Sequence, residues 1–221
     1  MTAKQAVYIR FLFTGEGSFD DHLITHLRRC CVLAGADEAE GVTIPFSRLG
    51  DRIGHTVAEK LNFALVHEPN VNLVFVHRDA DSVDPEPRYD EIREAIQKVT
   101  NTPAYVAVIP VQETEAWLLL DESEIRRVAE DPNGTVALDI PSARQAERIS
   151  SPKEHLNAVI LKASEQTGRR YRKIKQKVHQ KCLLILDALD PEGPVCEVPS
   201  WKRMFSDLEA AVEEMAVRHS K

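Results

Sequence analysis

Apolar residues fall into short blocks, separated by segments whose apolar positions recur every three or four residues. Ala6–Phe13 is the first block, and its aromatic and β-branched content predicts a strand. Behind it, Phe19, Leu23, Ile24, Leu27 and Cys31 fall on one helical face, with Ser18 where a cap is expected. Gly41–Phe46 predicts a weaker second strand; Pro45 marks it as an edge or a strand end. A loop at Ser47–Asp51 precedes a helix over Thr56–Val66, with Val57, Leu61, Ala64 and Leu65 inward. Leu73–Val76 is a continuous apolar run bounded by Pro69-Asn70 and Asp84-Pro85. Such a run marks a strand buried on both faces of a parallel sheet. A polar loop at Ser82–Arg88, a helix over Tyr89–Val99 and a buried strand over Ala104–Ile109 follow. The order β-α-β-α-β-α-β predicts an α/β fold, a mostly parallel sheet with helices on both faces.

The remainder reads as helical. An apolar helix follows the acids at Glu113 and Glu115, and residues 122–150 are mixed and loop-rich. Ser151-Pro152-Lys153-Glu154 has Ser at the cap and Pro at the first helical position, so a helix is expected to about Gln166, with Gly168 breaking it. Arg169 to Lys181 then carries seven Lys/Arg and no acid. Tyr171, Ile174, Val178 and Ile185 are placed inward there, with the basic residues outward. Asp190–Pro194 is a break. Ser200 is placed to cap a last helix, Trp201–Val217, whose stripe is Met204, Leu208, Ala211, Val212 and Met215; Trp201 and Phe205 read as core anchors. The expected organisation is an α/β domain over residues 1–121 and a C-terminal helical extension over 122–221, packed as one structural unit.

Composition narrows the partners. With 221 residues and 43% hydrophobic content the chain can bury a substantial core. A formal charge of −7 excludes a uniformly basic nucleic-acid coat but not a local basic patch. No run approaches eighteen apolar residues, and the start lacks a signal peptide's apolar stretch, so a cytoplasmic protein without a membrane span is expected. Cys30, Cys31, Cys182 and Cys196 lack zinc-ligand spacing and read as thiols of a reducing compartment.

The candidate chemistry lies at the strand ends. Leu73–Val76 runs into His77-Arg78-Asp79-Ala80-Asp81. In extended backbone, Asp79 and Asp81 point the same way at the carboxyl end of the sheet, where open α/β folds bind ligands. Glu16 lies between Gly15 and Gly17 after the first strand, and Glu113 and Glu115 follow the last one. Acid at three strand ends of one sheet edge is costly without a cation, and hard carboxylate oxygens suit Mg2+ or Mn2+. Arg169, Arg170, Arg172, Lys173, Lys175 and Lys177 form the candidate phosphate-contacting face, with Arg78 inside the acidic motif. Each of these features has a plain structural counterpart: turn acids, helix-capping acids and a solvated basic helix.

A glutamate in a Gly-rich turn followed by a later Asp-x-Asp resembles the Toprim domain of topoisomerases, primases and OLD-type nucleases. More closely, the combination of Gly-Glu-Gly (15–17), His-Arg-Asp-Ala-Asp-Ser (77–82), Ile-Pro-Val-Gln-Glu-Thr-Glu-Ala-Trp-Leu-Leu (109–119) and Ser-Pro-Lys-Glu-His-Leu (151–156) is similar to an uncharacterised bacterial Toprim-like family, domain of unknown function 4276. The resemblance implies a Toprim-like sheet, with Glu16 as general acid or base or as metal ligand. It implies Asp79 and Asp81 as Mg2+ ligands during phosphodiester cleavage or transfer, and Glu113 and Glu115 as further ligands. It implies DNA or RNA as substrate, and a setting beside an ATPase partner in phage defence. Three other functions compete: a nucleotide-sugar glycosyltransferase, a phosphatase with Asp79 as covalent nucleophile, and a non-catalytic metal- or nucleic-acid-binding module.

Overall fold

The computed structural model describes residues 6–17, 19–46 and 56–219. Ser18 and the Ser47–Asp51 loop lie outside the described residues. The chain forms two compact units. One consists of Met1–Arg78, Glu86–Ile109 and Lys202–Lys221; the other of Asp79–Pro85 and Pro110–Trp201.

The first unit is α/β. Its strands are β1 (Tyr8–Thr14), β2 (Glu38–Thr43), β3 (Leu73–His77) and β4 (Ala104–Val108), all parallel in the order β2-β1-β3-β4. Parallel neighbours need crossovers, supplied by α1 (Leu23–Leu33), α2 (Val57–His67) and α3 (Glu86–Gln97). Right-handed crossovers put α1 on one face and α2 and α3 on the other, because the chain first moves outward to β2 and then back across to β3 and β4. Both faces of the centre are therefore covered, and every residue of β3 is buried. Phe13 pairs with Phe75 in register, and the Phe11 and Phe75 rings meet edge-on at 5.0 Å. Thr56 caps α2 in a reciprocal arrangement with Glu59.

The last helix, α10 (Pro199–His219), begins in the second unit and ends in the first. Of its expected stripe, Met204, Leu208, Val212 and Met215 are buried and Ala211 is half-buried. Arg203 lies over the Tyr89 ring of α3, 3.4 Å from its centroid, and pairs with Glu86. Ser200 sits inside the helix rather than capping it, because Pro199 already supplies the first helical position. Trp201 is buried, whereas Phe205 is half-buried.

The second unit is helical: α4 (Glu115–Leu118), α5 (Glu122–Val128), α6 (Ala143–Ala146), α7 (Pro152–Ala163), α8 (Gly168–Gln176) and α9 (Val178–Asp187). Helix α7 packs against α4, α5, α8 and α9, burying Leu156, Val159, Ile160 and Ala163. Trp117 stacks edge-on with Trp201 at 4.9 Å, and its ring N–H donates to Ser200 Oγ at 2.9 Å. Cys30, Cys31 and Cys182 are buried free thiols, pushed up to about 12 by desolvation, so they pack as apolar groups.

Several boundaries differ from the expectation. β2 begins at Glu38 and stops before Pro45: Glu38-Ala39-Glu40 keeps the in–out alternation of an edge strand but carries too little apolar content to show it. Helix α3 starts within the Ser82–Arg88 loop. Asp121 and Ser142 cap two helices inside the stretch read as loop-rich. The helix after Glu115 has a single turn. Helix α7 ends at Ala163, and Gly168 opens α8 instead of only ending its predecessor. The basic run is two helices meeting at Lys177, whose φ of −108° and ψ of 7° leave helical geometry. Lys181 points inward, 6% exposed, rather than outward. Among the described residues, no helix is long and apolar enough to cross a membrane.

Candidate functional site

In the α/β unit the crossovers reverse direction between β1 and β3, the position at which open parallel sheets take up ligands. These strands end at Thr14 and His77. Glu16 and Arg78 follow them and meet: Arg78 Nε lies 2.7 Å from Glu16 Oε1, an ion pair rather than an aligned hydrogen bond. Arg78 Nη1 also lies 3.5 Å from Glu91. The Gly-Glu-Gly turn is held by Asp20, whose Oδ2 accepts from the Glu16 N–H at 3.0 Å and the Gly17 N–H at 2.9 Å. Gly15 is required for space: a Cβ there would stand 2.9 Å from the Asp20 Cβ. The same Asp20 oxygen stands 3.7 Å from His77 Nδ1. His77 is buried, and desolvation holds its pKa below the ordinary 6.5 in spite of the nearby Asp20 and Glu16 carboxylates.

The other candidate acids belong to the helical unit. Beyond β3 and β4 the chain keeps pairing without forming regular strands. The Ala80 N–H donates to Pro110 O, the Asp81 N–H to Gln112 O, and the Gln112 N–H to Ser82 O. This irregular ladder brings the Asp-x-Asp segment beside the Glu-Thr-Glu segment. Asp79 Oδ1 then accepts from the backbone N–H of Thr114 at 3.0 Å and from its hydroxyl at 3.2 Å. Asp79 is thereby fixed against the residue between Glu113 and Glu115. Asp79 is half-buried and Asp81 exposed. Asp81 (φ 52°) and Gln112 (φ 65°) are both left-handed, so extended backbone ends at Asp81. Glu113 Oε2 accepts from the Lys153 N–H at the start of α7, at 3.1 Å. Glu115 is buried in the single turn of α4.

All five acids are hard oxygen donors, which suits Mg2+. Among the described residues, however, no three His, Cys, Asp or Glu side chains are grouped so as to hold a metal. The donor set therefore does not form a closed protein cage. An open site of the kind Mg2+ uses, in which one or two carboxylates, waters and substrate phosphates complete the octahedron, needs no such group.

Of the basic candidates, Arg169, Arg170, Arg172, Lys173, Lys175 and Lys177 are all exposed on α8 or at its end. Sequence reasoning missed Asp20, Thr114 and Lys181. Asp20 carried a signal: an aspartate three residues beyond Gly17 is positioned to accept backbone N–H groups of the turn. Thr114 carried none, because its partner is 35 residues away.

The structure thus defines an α/β protein with a four-stranded parallel sheet in one unit and an acid-bearing irregular ladder in the other. The family profile described as "Domain of unknown function (DUF4276)" matches residues 17–209, and the chain belongs to that family. No curated protein and no solved structure matches the chain.

Proposed function

We propose that the protein is a divalent-metal-dependent nuclease, or a related phosphodiester-processing enzyme, acting on DNA or RNA. The observation that carries this reading is the pair of hydrogen bonds from Thr114 to Asp79, which fixes Asp79 against the residue between Glu113 and Glu115 in the chain. Support comes also from the six exposed cations of Arg169–Lys177, a source of phosphate contacts. Asp79 and Asp81 are the proposed ligands of Mg2+ or Mn2+, with Glu113 or Glu115 as a further ligand. When bound, the cation supplies charge neutralisation at a phosphate oxygen and lowers the pKa of a bound water. In the helical unit Asp79 is oriented by Thr114; in the α/β unit Glu16 is restrained by Arg78 and by the Asp20-tied turn, and its role as general acid or base rests on the family resemblance. Action beside an ATPase partner in phage defence belongs to the same proposal and rests on the family resemblance alone.

The test is incubation of the full chain with mixed DNA and RNA pools, with Mg2+, Mn2+ or EDTA. Metal-dependent cleavage by the wild type, abolished in Asp79→Asn/Asp81→Asn, is the expected result. Calorimetric metal binding without turnover would point to a binding module. Absence of both binding and turnover would remove the metal site.

A further inference from the structure

The basic run is not one uniform face. Arg170, Lys173 and Lys177 line a cavity of about 590 Å³ in the helical unit, whereas Arg169, Arg172 and Lys175 do not. The spacing explains the division: positions 170, 173 and 177 step by three and four residues along α8 to its end, and Lys181 reaches the cavity from α9. Lys181 also lines the cavity and is buried. Its side chain is 8% exposed, and Nζ donates to the Val128 carbonyl and to Glu130 Oε1, the latter at 2.8 Å. Glu130 is the one acid among the described lining residues, and Lys181 holds its carboxyl below the usual range. Arg170, Lys173 and Lys177 have no carboxylate within ion-pair distance among the described residues.

Arg170, Lys173 and Lys177 place three positive charges around one volume against a single acid among the described lining residues, Glu130, which Lys181 already engages and Lys177 also faces, so the lining favours an anion. The volume falls within the range of about 300–1,000 Å³ typical of small-ligand clefts. Buried Ile174 gives the wall an apolar patch, and the Gln166 and Gln176 amides offer both donors and acceptors. A nucleic-acid strand would be followed by cations along a track, but the three that would extend one lie outside the cavity.

We propose that this cavity is a binding site for a free nucleotide, a nucleoside di- or triphosphate, with its phosphates on Arg170, Lys173 and Lys177 and its base toward Ile174 and the glutamines. The site uses none of the acids of the irregular ladder, and it shares Arg170, Lys173 and Lys177 with the phosphate contacts offered in support of the nuclease reading.

The experiment is calorimetric titration of the full chain in EDTA with ATP, ADP, AMP, adenosine and pyrophosphate. Affinity is expected to rise from AMP to ATP, with no binding of adenosine. Arg170→Ala, Lys173→Ala and Lys177→Ala should each weaken ATP about tenfold. Lys173→Arg should restore most of the loss, and Arg169→Ala/Arg172→Ala/Lys175→Ala should leave affinity unchanged. Asp79→Asn/Asp81→Asn should bind ATP like the wild type, which separates this site from the proposed nuclease centre. Three results would each overturn the assignment: no saturable ATP binding, ATP binding indifferent to the three cavity residues, or pyrophosphate binding as tightly as ATP. So would displacement of ATP by a single-stranded oligonucleotide lacking terminal phosphates, which would make the cavity part of a strand track.

Discussion

Asp20 and Asp79 do similar work in the two units: each spends a carboxylate oxygen on holding a loop that carries a candidate functional acid. Asp20 accepts two backbone N–H groups at the Glu16 turn. Removing a buried, charged acceptor leaves those donors unsatisfied, so Asp20→Ala is expected to cost about 2–3 kcal/mol in urea unfolding. Asp20→Asn, which keeps an acceptor, is expected to cost roughly 1 kcal/mol. Asp79→Asn should likewise hold Thr114 and unfold near the wild-type midpoint while losing metal binding; that dissociation of stability from function is the readout for a ligand role. His77 adds a pH effect. Burial lowers its folded-state pKa, so below about pH 6.5 the unfolded chain binds the proton that the folded chain resists. Stability is therefore expected to be level above neutrality and to fall as pH drops through 6.5. The dependence should flatten in His77→Gln, checked by urea midpoints between pH 8 and pH 5.5.

At the scale of elements, the buried cation Lys181 ties α9 to the end of α5 through the Val128 carbonyl and Glu130. Lys181→Ala strands that carbonyl and removes packed methylenes, so a loss of about 2–3 kcal/mol in denaturant unfolding is expected. Glu130→Gln, at a largely exposed position, should cost much less. The same lysine shows what sequence can and cannot reveal. The strands and the α/β order were legible because Leu73–Val76 and Ala104–Val108 are apolar enough to need cover on both faces. Helix α2 was legible from its stripe and α7 from its Ser-Pro start, although Ser151 makes no side-chain capping bond. Lys181 was read as one more outward cation because its partners lie in another helix and α9 resets the helical phase after Lys177. The acids at the strand ends were visible as types and positions. The ladder that brings Asp79 against Thr114 was not, because it depends on left-handed backbone at Asp81 and Gln112, both non-glycine residues that announce no turn.

For the whole molecule, a net charge of −7 opposes non-specific binding to a polyanion, so any nucleic-acid affinity has to come from the local basic run. That gives a quantitative expectation. At most six exposed cations, Arg169, Arg170, Arg172, Lys173, Lys175 and Lys177, can neutralise phosphates there. For single strands the plot of log affinity against log salt should then have a slope no steeper than about −4. If Arg170, Lys173 and Lys177 are committed to a nucleotide, saturating ATP should reduce the slope to roughly −2, the share left to the other three. Charge reversal at Arg169, Arg172 and Lys175 should abolish strand binding while ATP still binds. Fluorescence anisotropy of a labelled single strand over a salt series, with and without ATP, measures both slopes. A slope unmoved by ATP and by the charge reversal would show that strand contacts lie elsewhere on the molecule.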